Sequence, residues 1–258
     1  MAKKKITISV AIATYNEAIK LGACLASIGS WVDEIVLVDG GSSDGTLEIA
    51  KKFGAVISKR DNPVMFHINK NRAIAMCKSD WILQLDADEV VGNDLSEEIR
   101  SVIKKKNTNA GYQMPRKNFF VGRWLSKGGQ YPDYLVRLFQ NGKGRLPCKY
   151  VHEQIKIDGE IGTLKEPLLH YTNNTLEEYW AKADTYTNLT AIELRKKYKR
   201  STMSLLFAYC FIKPIVTFFM IYVRHKGFVD GWQGLQFALF SSLHFPMAYK
   251  KFIFGNLT

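Results

Sequence analysis

Cysteine is scarce in this 258-residue chain: four residues, Cys24, Cys77, Cys148 and Cys210, lie far apart and form no Cys-x-x-Cys pair. That spacing excludes a cysteine-based zinc ribbon and a secreted disulfide scaffold, and it fits a reducing cytosol. Proline is sparse too, at seven residues, and 47% of the chain is hydrophobic, which excludes collagen-like and disordered classes and allows a full core. A processed leader is not expected. Lys3 to Lys5 precede an apolar run over 6–13, but Thr14, Tyr15, Asn16 and Glu17 follow without a small-residue cleavage site, so the run reads as a buried first strand.

Acidic residues are in deficit, 24 against 36 Lys and Arg, for a net charge of +12. From Ala191 onward ten basic residues meet only Glu193 and Asp230, so two thirds of the excess lies in the last quarter. That quarter also carries apolar stretches over 205–223 and 235–247, the first interrupted by Lys213 and Pro214. Basic clusters beside apolar segments are what an anionic membrane surface attracts, each cation contributing about 1 kcal/mol. A nucleic-acid partner is not expected, because the basic residues flank hydrophobic runs instead of exposed stacking aromatics. The first stretch reaches the roughly 20 residues of a span only with a lysine and a proline at its centre. Helices lying in the interface, with Tyr222, Phe228 and Trp232 near head-group level, are therefore expected in preference to a span. A buried hairpin or dimer interface is the competing arrangement.

The first half alternates short apolar runs with helical periods. Strands are predicted over 6–13, 34–39, 55–58 and 81–86, and helices over 19–28, 46–53 and 66–78. This order predicts an α/β fold with a doubly wound, mainly parallel sheet, in which ligands bind beyond the carboxyl ends of the strands. Polar clusters fall at those ends: Thr14-Tyr-Asn-Glu17 after the first strand, Asp39-Gly-Gly-Ser-Ser-Asp-Gly45 after the second, Asp86-Ala-Asp-Glu89 after the fourth. In the second, the glycines permit close backbone approach and Asp44 is placed to cap the next helix. In the third, mutually repelling carboxylates call for a positive partner, for which a hard divalent cation shared with a diphosphate is a natural candidate. A solvated acidic turn is the plainer alternative. A nucleotidylyltransferase would use a similar sheet, but no Gly-rich, basic phosphate loop follows the first strand.

Val10-Ala-Ile-Ala-Thr-Tyr-Asn-Glu17, Val38-Asp-Gly-Gly-Ser-Ser-Asp-Gly-Thr46, Lys70-Asn-Arg72 and Leu85-Asp-Ala-Asp-Glu89 together resemble the nucleotide-sugar-binding half of family 2 inverting glycosyltransferases, which have the GT-A fold. Tyr131-Pro-Asp-Tyr-Leu-Val-Arg-Leu-Phe139 and Val151-His-Glu153 look like the subgroup of lipopolysaccharide core β-glucosyltransferases. The resemblance implies that Thr14, Asn16 and Glu17 line the nucleotide pocket, Asp39 bonds the base, and Ser42 and Asp44 shape the entrance. It implies that Lys70 and Asn71 lie beside the donor, that Asp86 contacts the ribose or the metal shell, and that Asp88 ligates Mg²⁺ or Mn²⁺.

Inversion requires a general base to take the acceptor's proton. Glu153 is the candidate and Asp133 the alternative. Arg137 is either a bidentate phosphate ligand or a structural ion-pair partner. His170 is either a late metal ligand, as in some GT-A enzymes, or a core histidine. The Gln-x-x-Arg-Trp signature of processive synthases is missing, so addition of a single sugar is expected. The expected plan is a catalytic domain over 1–172, with donor half 6–90 and acceptor half 91–172, and a helical, basic, membrane-associating segment over 173–258. An amphipathic helix is predicted over 175–198, burying Tyr179, Trp180, Ala183, Tyr186 and Leu194. The implied partners are a nucleotide-diphosphate sugar, UDP-sugar favoured, a lipid-linked glycan acceptor and the inner face of the cytoplasmic membrane. A non-catalytic sensor of nucleotide sugars would keep the donor residues without needing a base.

Overall fold

A computed structural model describes residues 5–105, 109–149 and 153–255. In chain order the elements are β1 (Ile8–Thr14), α1 (Ala18–Ile28), β2 (Glu34–Asp39), α2 (Thr46–Lys52), β3 (Val56–Lys59), α3 (His67–Met76), β4 (Trp81–Asp86), β5 (Glu89–Val91) and α4 (Asn93–Val102). There follow β6 (Gly111–Phe120), β7 (Arg123–Trp124), β8 (Asp133–Gln140), β9 (Gly144–Arg145), β10 (Lys156–Ile157), β11 (Ile161–Thr163) and β12 (Leu168–Asn173). Three helices close the chain: α5 (Leu176–Lys197), α6 (Met203–Arg224) and α7 (Gly231–Phe254). Two compact units result, one of Met1–Arg116 with Tyr134–His170, the other of Lys117–Asp133 with Tyr171–Thr258.

The main sheet runs β3-β2-β1-β4-β8-β6-β12-β5. Strands β1 to β4 are mutually parallel where they pair, whereas β8 is antiparallel to β4 and β12 to β5, so the sheet is largely parallel on one side and mixed on the other. The four strands and three helices expected before residue 87 all form, with ends moved by no more than two residues.

Strand β1 is buried along almost its whole length because helices cover both faces. Side chains alternate across a strand, so Ile8, Val10 and Ile12 meet Leu21, Leu25 and Ile28 of α1, while Ala11 joins Ala73 and Ile74 of α3. Small residues at 11 and 73 let α3 approach closely, and burying each large aliphatic chain on the α1 side contributes about 1.5–3 kcal/mol.

In the second unit, the Thr175 hydroxyl accepts the Glu178 N–H at 3.2 Å while Glu178 accepts the Asn174 N–H at 3.0 Å, which fixes the start of α5. Arg195, Lys196 and Lys197 sit at its carboxyl end, where the helix dipole favours cations. Its buried stripe is Tyr179, Ala183, Thr187, Ala191 and Leu194. Tyr186, expected inside, is exposed: from Tyr179 to Ala191 the stripe advances in steps of four through small residues that let α7 come near, and a bulky ring at 186 falls beyond its edge. Helix α7 begins against the turn 227–230, so tightly that a Cβ on Gly234 would collide with the Gly227 carbonyl oxygen. Asp230, which is buried, anchors that turn by accepting the N–H groups of Ser126 and Lys127 at 3.0 and 2.8 Å.

Lys213 and Pro214 do not interrupt α6. The wide turn over Ala208–Ile212 leaves room for the proline ring, which would otherwise meet the Cys210 carbonyl four residues earlier, and a second wide turn follows over Met220–Arg224. The helix is long and apolar enough, by length and composition, to cross a membrane.

Candidate active site

The register of the first unit brings three strand ends together: Thr14 pairs with Asp39, and Ala13 with Asp86. Asp39 is fully buried. Its carboxylate accepts the N–H groups of Gly41 and Ser42, both at 2.9 Å, together with the hydroxyls of Ser42 and Thr14. The turn so closed places Gly41 at φ +90°, which disfavours any side chain there.

The loops after β1 and β2 are knitted to each other. Asn16 donates its N–H to the Ser42 hydroxyl at 2.8 Å, and its side-chain oxygen accepts the Ser43 N–H at 2.9 Å. Asp44 accepts the Ala18 N–H at 3.0 Å and the Thr46 N–H at 3.1 Å, so one carboxylate serves the starts of both α1 and α2. The Thr46 hydroxyl and the Ala18 amide hold its carboxyl below the ordinary value. Glu17 donates its N–H to the Thr46 hydroxyl at 2.9 Å. Thr14, Asn16, Glu17, Asp39, Ser42 and Asp44 thus form one polar wall at the carboxyl edge.

A second group gathers at the end of β4. Asp86 forms ion pairs with Lys70 and, at 2.8 Å, with Arg137. Arg137 also bonds Gln84 and reaches Glu89 at 2.6 Å, and Glu89, fully buried, accepts the Asp86 N–H at 2.9 Å. Arg116 adds a further cation 3.6 Å from Glu89. Burial alone would raise the Asp86 carboxyl, but Arg137 and Lys70 outweigh it and hold it well below the carboxylate range. The guanidinium of Arg137 is driven further up, its burial overcome by Asp86 and Glu89. Of the two roles open to Arg137, its contacts here are those of an ion-pair partner. Gln84 and Arg116 had no place in the sequence reading, and Glu89 entered it only as a member of the acidic cluster, with no role of its own. Glu89 stood in the quoted Asp-x-Asp-Glu motif, and its burial was the missing signal.

Asp88, two residues on, points elsewhere: its carboxylate lies 3.5 Å from His170 Nε2, the register of β12 on β5 having set His170 beside Glu89. Among the described residues, no group of three or more His, Cys, Asp or Glu side chains gathers for a metal ion. A carboxylate oxygen and an imidazole nitrogen at this separation nonetheless fit a divalent cation that takes its other positions from phosphate oxygens and water.

Asn71 is bound into the frame, donating to the Leu146 carbonyl at 2.8 Å and accepting the Leu146 N–H at 3.0 Å. It tethers the segment that leads to Glu153, whose two oxygens accept the Lys149 N–H at 3.0 Å. Val151 and His152 of that motif lie outside the described residues. Asp133 belongs to the second unit, where Asn118 donates to it at 3.3 Å. His67, missed in the sequence, is almost wholly buried, and its Nδ1 has no hydrogen-bond partner among the described residues. Burial first, and then the Lys70 charge, lower its pKa against the opposing pull of Glu153.

A largely parallel sheet with polar clusters at its carboxyl edge, where ligands of such sheets bind, defines an α/β fold of the GT-A type. The chain belongs to glycosyl transferase family 2, whose model matches residues 9–170. It is similar to the lipopolysaccharide core biosynthesis glycosyltransferase LpsC of Rhizobium meliloti (strain 1021), with 26% identity over 251 residues, 92% of this chain and 91% of that one. An uncharacterized glycosyltransferase of Rickettsia felis is 27% identical over 239 residues, covering 88% of this chain and 82% of that one. Among solved structures, the mannosyltransferase PcManGT from Pyrobaculum calidifontis, in complex with GDP-Man and Mn²⁺, shares the fold with a TM-score of 0.55 at 11% identity, over 98% of this chain and 89% of that one.

Proposed function

We propose that this chain is an inverting, metal-dependent transferase that moves a single sugar from a nucleotide-diphosphate donor, UDP-sugar favoured, to a lipid-linked glycan at the cytoplasmic face of the membrane. Assembly of lipopolysaccharide core or another cell-envelope glycan is the process it would serve, in keeping with its similarity to LpsC. Residues 1–172 would be the catalytic domain and 173–258 the membrane-associating segment. The observation that carries the reading is that Asp88, paired with His170, follows the end of β4, whose neighbour β1 ends in the knitted wall of Thr14, Asn16, Asp39, Ser42 and Asp44.

In this reading the wall holds the nucleotide, and Asp86 is kept ionised and oriented by Lys70 and Arg137. Asp88 and His170 would hold Mg²⁺ or Mn²⁺, which when bound supplies charge stabilisation for the departing diphosphate. Glu153 takes the proton of the attacking hydroxyl, with Asn71 fixing the segment before it; Asp133 is the alternative base. The test is sugar transfer itself, measured beside donor binding. Transfer from a UDP-sugar with inverted anomeric configuration supports the reading, and donor binding without any transfer leaves a nucleotide-sugar sensor.

A further inference from the structure

The second unit contains a cavity of about 320 Å³ between α5 and α6 that the sugar-transfer reading does not use. Lys197 and Lys213 stand on it beside Tyr198 and Tyr209, with Leu194 and Leu205 supplying apolar wall. Glu193 is the one acid in the lining, so the two lysines leave an excess of one positive charge.

Lys213 is the unusual member. It lies midway along an otherwise apolar helix and is half-buried, and among the described residues no carboxylate pairs with it. Its ammonium is held instead over the Tyr209 ring, 3.7 Å from the centroid, with the Phe245 ring at 5.6 Å. Ring faces attract a cation without neutralising it. A half-buried cation in a cavity therefore invites an anion that can accept its hydrogens, and phosphate oxygens do this strongly. Leu194, Leu205 and Ala208 give the cavity one apolar wall, and the same helix turns Phe207, Phe211 and Ile215 to the outside. A ligand that satisfies both is amphiphilic.

We propose that this cavity binds the phosphate-bearing head group of an anionic lipid, with Lys213 and Lys197 on the phosphate and the apolar wall against the first carbons of the chain. The site deepens the membrane reading of the second unit and is independent of sugar transfer.

Isothermal titration of the full chain with dihexanoyl phosphatidic acid, below its micellar concentration, tests it against inorganic phosphate. The short-chain lipid should bind about tenfold or more tighter than inorganic phosphate, since only the lipid meets the apolar wall. Lys213→Gln should weaken lipid binding by about tenfold, a lost charge-assisted contact. Ala208→Phe, which fills the cavity and keeps both lysines, should weaken it as much. Lys250→Gln removes an exposed cation outside the cavity and should leave it within about twofold, while far-ultraviolet circular dichroism and urea midpoints of all three variants report that the chain is folded. The proposal is overturned if Lys213→Gln and Ala208→Phe bind like the parent, if Lys250→Gln loses as much as they do, or if inorganic phosphate binds as tightly as the lipid. Sedimentation with phosphatidylglycerol vesicles separates the two readings. Lipid binding without sedimentation keeps the site and removes the membrane role, and sedimentation with both cavity variants unaffected in either assay removes the site alone.

Discussion

Arg137 is the residue on which the end of β4 depends. It pairs with both Asp86 and Glu89 from a position almost closed to solvent, so removing it leaves Asp86 with Lys70 alone and Glu89 with the more distant Arg116. Arg137→Met should cost about 3–5 kcal/mol in urea unfolding, because breaking a buried pair leaves uncompensated charge; a loss below about 1 kcal/mol would mean that water already reaches the network. Glu153→Gln should behave differently, with turnover falling by about 10²–10⁴-fold and donor affinity little changed, since a base acts in the transition state. Near-normal turnover would move the role to Asp133. That Asp86 and Glu89 gather was legible in the sequence, where they stand three apart, although Asp88 between them turns to His170. How they are compensated was not, because Lys70 and Arg137 lie 16 and 51 residues away from Asp86 and only the folded sheet brings them to it. The same holds for Asn71, whose bonds to Leu146 span 75 residues.

Among the elements, α6 shows how backbone geometry can rescue an awkward sequence. An α-helix carries side chains spaced four apart slowly around its axis, and wider turns rotate them back, so Phe207, Phe211, Ile215, Phe219 and Val223 all remain exposed. Periodicity and the Pro214 position together suggested a break, since neither reveals a wide turn. If this row meets a membrane, changing Phe207, Phe211 and Phe219 together to Ser should release the chain from anionic vesicles without changing UDP binding; retained sedimentation would remove the membrane role of α6. Helices α5 and α7 carry a pH-dependent contact. The Tyr179 hydroxyl and His244 Nε2 lie 3.0 Å apart, and burial lowers the His244 pKa. A histidine depressed on folding contributes stability above its unfolded value, about pH 6.5, and that contribution is lost as pH falls toward its folded value. His67, also lowered, acts with the same sign. Urea midpoints should therefore fall between pH 7.5 and 5.5, and less steeply in His244→Gln; an unchanged slope would remove His244 from this account.

For the molecule as a whole, the sequence exposed the first half more fully than the second. Parallel strands buried on both faces are written as continuous apolar runs, and their ends as polar clusters, so the edge at which the polar residues gather could be read before any contact was known. The last third is written in small residues and scattered aromatics, whose partners are other helices. Tyr186 and the stripe of Ala183, Thr187 and Ala191 show why bulk alone misjudges such faces.

The central claim is that a nucleotide diphosphate and a divalent cation meet at Asp88 and His170 on the carboxyl edge of the sheet. Titrating UDP into the full chain with Mn²⁺, and again with EDTA, tests it most directly. The account predicts that Mn²⁺ tightens UDP binding by about tenfold or more in the parent chain and has no effect in Asp88→Ala or His170→Ala. Equal affinity in Mn²⁺ and EDTA, or full Mn²⁺ enhancement in Asp88→Ala, would contradict it.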